Sequence, residues 1–156
     1  MKGLQLDNGT IKTFNSVPKS FGNIIGGFNT LNDTELEAYG FYNIVKPTIT
    51  ESQELGAIEW DADNSVFTYP VNDKTFAQSL AELKVQKIAN LKHSYGGELA
   101  KTDWIIIRDQ ELGNTTDSDI LSSRATLRSD CATHESSING KTTKAQVADY
   151  SLPNLM

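Results

Sequence analysis

Lys101-Thr102-Asp103-Trp104-Ile105-Ile106-Ile107-Arg108-Asp109-Gln110-Glu111 is the stretch on which the reading of the fold turns. One Trp and three consecutive Ile, framed by Asp103 and Arg108, stand between two helical segments, where a polar loop would be expected. Apolar residues at that density need burial. A small helical region has little interior, so either the two flanking helices close over Trp104 or a second protein covers it.

Upstream, Phe76, Leu80, Leu83, Ile88, Leu91, Tyr95 and Leu99 recur at steps of three to five, with Glu82, Lys84, Gln86, Lys87 and Lys92 largely between them. This spacing predicts a long amphipathic helix over 75–99. Gly96-Gly97 is expected to bend or interrupt it, because two adjacent Gly cost about 2 kcal/mol relative to Ala in a helix interior. Some twenty-five helical residues span roughly 35 Å, longer than a small β unit could cover. The apolar stripe therefore pairs with the second helix as a hairpin, or meets other chains in an open coiled coil.

Downstream, Gly113-Asn114-Thr115-Thr116 breaks the pattern and Thr116, Asp117 or Ser118 can cap a helix over 118–138 carrying Ile120, Leu127, Cys131, His134 and Ile138. Asn139-Gly140 is its expected stop. Residues 141–156 have weak periodicity, with Leu152 and Leu155 near the end. They read as an extended tail, either disordered or lying as an arm on another subunit.

The N-terminal part has the period of strands. Asp7-Asn8-Gly9-Thr10 separates Leu4-Gln5-Leu6 from Ile11-Lys12-Thr13-Phe14, and Asn-Gly supplies the positive φ angles of a tight two-residue hairpin turn. Asn32, with Glu35 three residues on, is a capping box for a short helix bearing Leu36 and Tyr39. Gly40 ends it, and a strand follows from Phe41 to Pro47. Gly56-Ala57-Ile58-Glu59-Trp60 and Val66-Phe67-Thr68-Tyr69-Pro70 alternate around a polar turn as a second hairpin. The expected fold class is α+β: a small antiparallel β-rich unit over 1–73, a helical region over 74–140 and the tail over 141–156.

Composition narrows the function classes. An apolar fraction of 38% permits folding without a large core. The formal charge of -6, with no Lys/Arg cluster, argues against a sequence-independent grip on nucleic acid. No apolar run approaches membrane-spanning length, and Met1-Lys2-Gly3-Leu4-Gln5-Leu6-Asp7 has no apolar signal core. Synthesis in a cytoplasm, with no insertion in a bilayer, is the expectation. Cys131 is the single cysteine, which excludes an intramolecular disulfide.

Catalytic chemistry finds little support. Cys131 and His134 lie one helical turn apart, but a metal needs three or four ligands and a Cys nucleophile needs an oriented base. The favoured reading is a small buried thiol and a partly exposed imidazole. Asp61/Asp63 and Asp117/Asp119 fall at turn or cap positions, without the ligand run of a calcium loop. Gly22 to Gly27 lacks the Lys-Ser or Lys-Thr of a phosphate cradle. No catalytic residue, metal or cofactor is expected, and the chain is not expected to be an enzyme.

Recognition by another protein is the remaining class. The candidate interface comprises Leu80, Leu83, Ile88, Leu91 and Tyr95, which pair with Ile120, Leu127 and Cys131 or with a partner, and Trp104 and Ile106 at the joint. Arg108, Arg124 and Arg128 are expected to hold carboxylates such as Asp103 and Glu111, and Leu152 and Leu155 belong to the tail. Trp104 is read either as a core anchor or as a docking hot spot. Self-association is a second partner class.

The order of these motifs resembles bacteriophage tail-fibre assembly and tail assembly chaperone-like proteins. The resemblance lies in Asp103-Trp104 with Arg108 and Glu111 after it, then Arg124-Ala125-Thr126-Leu127-Arg128 on a helix. Asp33-Thr34-Glu35-Leu36, Gly40-Phe41-Tyr42 and Lys46-Pro47 are similarly like a small phage domain. Together they cover the chain to about Ile138. The resemblance implies a non-enzymatic tail protein, made in the host cytoplasm, that binds a larger tail-fibre or tail/baseplate protein. The extended tail has no counterpart in the resemblance, and because a dissociating chaperone needs no anchoring arm it favours retention in the virion. Two alternatives stand beside it. One is a soluble chaperone that leaves after assembly; the other is a carbohydrate- or receptor-binding β unit with Phe41, Tyr42, Trp60 and Tyr69 stacking on sugars.

Overall fold

A computed structural model, describing residues 1–155, has the expected α+β architecture: short antiparallel strands, then two long helices and a short one. It divides into two compact units, Met1–Lys74 and Thr75–Met156.

In the first unit, β1 (Lys2–Gln5) pairs antiparallel with β2 (Ile11–Phe14) on one side and β3 (Phe41–Asn43) on the other. The connection is longer than the two-residue turn expected: of Asn8 and Gly9 only Gly9 takes a positive φ, 80°, and the Leu6 amide donates to the Thr10 carbonyl while the Gly9 amide donates to that of Leu6. Helix α1 (Asp33–Glu37) starts from the Asn32/Glu35 capping box. Leu36 then packs with Phe28 and Phe41 to form the core, with Leu4, Phe14, Val17, Phe21, Ile24 and Leu31 around it. The second predicted hairpin forms as β5 (Glu59–Asp61) with β6 (Val66–Thr68). A further pair, β4 (Gln53–Leu55) with β7 (Val71–Asp73), encloses it. The Val45 amide donates to the Phe67 carbonyl at 2.8 Å, tying the segment after β3 to β6. Gly3 lets the Phe67 ring lie on β1; a Cβ there would come within 2.5 Å of Phe67 Cδ2.

The second unit departs from expectation at the stretch that opened the sequence. Lys101 to Glu111 is not a junction but the final three turns of one helix, α2 (Leu80–Leu112). The reason is periodic. Leu99, Thr102, Ile106 and Asp109 continue the inward row, and no Pro or Gly intervenes until Gly113 takes a left-handed φ of 69° and caps the helix. Nor does Gly96-Gly97 break it. Helical residues on both sides carry the ladder through.

Ser79 and Glu82 form a capping box at the start of α2, and Asp117 caps α3 (Ser118–Asn139). The helices run antiparallel, as shown by Lys84 Nζ donating to the Asn139 carbonyl and Arg124 reaching Leu99. They form a closed hairpin. The predicted extended tail is a second correction: Thr143 and Gln146 cap a short helix, α4 (Lys144–Ala148), and the chain beyond it lies on the hairpin.

Candidate functional site

The helical unit gathers most of the residues proposed for recognition, and it divides them into two groups. At the base, Leu91, Tyr95 and Ile138 form a buried cluster, with Ile88, Leu127, Cys131, Tyr150, Leu152 and Leu155 packed against it. Leu80 and Leu83 are half-buried on the first turn of α2. Leu152 and Leu155, expected in a tail either disordered or lying on another subunit, lie on their own chain because the α3–α4 turn sends the backbone back along the hairpin. Tyr150 Oη is 2.7 Å from His134 Nδ1, and Lys141 Nζ lies 5.3 Å from the centre of the Tyr150 ring. Lys87 Nζ donates to the Ala148 carbonyl at 2.9 Å. Burial pushes the Tyr95 phenol above its usual range, and the neighbouring Asp130 charge acts in the same direction. The Cys131–His134 pair is absorbed by this packing, the thiol against the apolar cluster and the imidazole against Tyr150.

Midway along the hairpin, the buried Arg124 fastens α3 to α2. Its Nη1 donates to the Leu99 carbonyl at 2.6 Å and to Thr102 Oγ1 at 2.5 Å, and its Nη2 donates to Asp103 Oδ1 at 2.6 Å. Leu99, Thr102 and Asp103 lie within one helical turn, so the planar fork meets a backbone carbonyl, a hydroxyl and a carboxylate together. The predicted Arg124–Asp103 pairing is present. Arg108 instead pairs with the adjacent, buried Asp109 at 2.7 Å, and Arg128 is exposed beside a groove of about 260 Å³ that Gly96, Leu99 and Leu127 also line. Glu135 accepts from Lys92 at 2.8 Å and this hydrogen bond raises the lysine's pKa.

Toward the turn between the helices the apolar residues are not enclosed. Trp104 is 58% and Ile107 56% exposed, so the chain's own helices do not close over them; Ile105 and Ile106 are half-buried. Trp104 and Ile107 stand on the side of α2 opposite the row that faces α3, which follows from their offset from Thr102, Ile106 and Asp109. The Arg108 guanidinium lies 5.1 Å from the centre of the Trp104 ring. Leu112 and Leu121, which the sequence did not single out, flank the turn with 66% and 49% of their surface exposed. Their signal was present as apolar residues just inside two helix ends, but nothing in the spacing says which side faces water.

In the β unit, Phe41 is fully buried, so it is lost to any sugar-stacking surface. Tyr42 and Phe67 pack edge-on against Trp60 at 4.5 and 5.1 Å between ring centres. Tyr69 lines a cleft of about 450 Å³ with Ile44, Lys46 and Leu55. Asp61 accepts from the Asp63 and Asn64 amides and from the Asn64 side chain, the last bond doing most to hold its carboxyl below the ordinary range. These are the contacts of a turn carboxylate. Among the described residues no group of three or more His, Cys, Asp or Glu is placed to hold a metal ion, and no helix is long and apolar enough to cross a membrane. Set against known protein families, curated proteins and solved structures, the chain matches none of them.

Proposed function

We propose that the chain is a non-enzymatic bacteriophage tail protein that assembles with a larger tail-fibre or tail/baseplate component and is retained in the virion. The tail identity rests on the order of motifs around Asp103-Trp104 and Arg124. The assembly role rests on one structural observation: the turn end of the helical hairpin keeps Leu112 and Leu121 exposed, while its base is sealed by Tyr150, Leu152 and Leu155 of the same chain. Exposed apolar residues grouped at one end of a rigid element suit a docking tip. The Arg124 contacts support such a tip, since they fix α2 and α3 against each other before a partner arrives.

Mass spectrometry of purified virions tests the reading. The chain is expected at stoichiometric abundance, and Leu112→Ser with Leu121→Ser is expected to deplete it while far-ultraviolet circular dichroism stays unchanged. Absence of the wild-type chain from particles would overturn the retained form in favour of an assembly factor that dissociates.

A further inference from the structure

The outer face of α2 carries a row that the hairpin does not use. His93, Gly97, Ala100, Trp104, Ile107 and Glu111 follow one another at steps of four and three, the spacing of a coiled-coil seam, and each is exposed. A Cβ on Gly97 would meet nothing within 4 Å beyond its own stretch of helix, so no packing among the described residues requires a glycine there. The row thus presents two shallow positions followed by two large apolar ones.

We propose that this face pairs with the same face of a second copy, antiparallel, about a two-fold axis at the level of Thr102. In that register Trp104 of each copy lies over Ala100 of the other and Ile107 lies over Gly97, so each knob meets a hole. His93 then stands opposite Glu111, a hydrogen-bonding pair. The charges beside the row do not oppose the approach, because each has a counter-charge in its own chain: Lys101 with Glu98, Asp103 with Arg124 and Arg108 with Asp109. Arg108 also lies over the Trp104 ring, so the knob is steadied before contact. The inference concerns the outer face alone and does not depend on what the turn end binds.

Sedimentation of the full chain over a concentration series tests it. A monomer–dimer equilibrium is expected, lost in Trp104→Ala and weakened in Ile107→Ala. Ala100→Leu separates knob-in-hole pairing from general stickiness: filling the hole is expected to weaken the dimer, whereas stronger association would overturn the proposal. Helical circular dichroism confirms that each variant is folded. In a Cys131→Ser background, spin labels on Val85→Cys are expected to be about 50 Å apart at 1.5 Å of rise per residue. A spacing of about 10 Å, that of side-by-side parallel helices, would overturn the proposal, as would a chain monomeric at every concentration.

Discussion

Arg124 reaches Asp103 across the hairpin at 2.6 Å while donating to the carbonyl of Leu99, so one buried side chain satisfies an acidic group and a backbone acceptor on the facing helix. The two contacts are unequal in what they contribute. Asp103 is half exposed, and water screens its attraction. Arg124→Ala should therefore cost about 2–4 kcal/mol, mostly through the lost fork and its packing, and Asp103→Asn about 1 kcal/mol or less. Urea unfolding followed by helical circular dichroism measures both; equal losses would show that the carboxylate dominates.

Among the glycines of the β unit, Gly3 has the least room for a side chain. Gly3→Ala drives a methyl group into the Phe67 ring and should destabilise that unit by about 1–3 kcal/mol. Adding Phe67→Leu should recover part of the loss. Tryptophan fluorescence from Trp60, read in a Trp104→Phe background, reports the transition.

Gly96 is the opposite case. A Cβ there meets no atom within 4 Å beyond its own stretch of helix among the described residues, and the residue lies inside a helix without positive φ. Gly96→Ala should raise the stability of the helical unit by about 0.5–1 kcal/mol, through helix propensity and a less flexible unfolded chain. A thermal melt with no upward shift would contradict this.

Acid should loosen both units by the same linkage. The Asn43 side-chain hydrogen bond, helped by Lys2, lowers the Asp33 pKa; hydrogen bonds from Ser79, first the amide and then the hydroxyl, lower that of Glu82. A carboxyl whose folded pKa is depressed adds stability above its unfolded pKa and loses it as pH falls through the folded value. Stability should therefore be flat near neutrality and decline below about pH 4. Glu82→Gln should flatten that decline for the helical signal, as denaturant midpoints at stepped pH values would show.

The elements legible in the sequence are those set by local chemistry. Gly9 marks a turn through its positive φ, though not the length of that turn, and Asn32 with Glu35 marks a helix start through two hydrogen bonds. Strands β4 and β7 were not legible, because Gln53-Glu54-Leu55 and Val71-Asn72-Asp73 each hold one apolar residue and are joined only by pairing across the intervening hairpin. The Trp104 segment misled for a different reason. Its charges looked like a loop and its Ile run like core, yet the 3.6-residue period sorts them: Ile106 and Asp109 turn toward α3, Trp104 and Ile107 away. Of the candidate interface, the Arg124–Asp103 pair could be anticipated from charge and spacing. The fate of Leu152 and Leu155 could not, since it depends on where the turn after Gly140 directs the chain.

The seal at the base of the hairpin makes residues 150–155 part of the helical unit's fold. Tyr150, Leu152 and Leu155 pack against Leu91, Tyr95 and Ile138. Peeling that short stretch away would leave the hairpin with an open apolar flank. Such a flank is what recruits wrong partners, so the last turns of backbone act as a guard against aggregation.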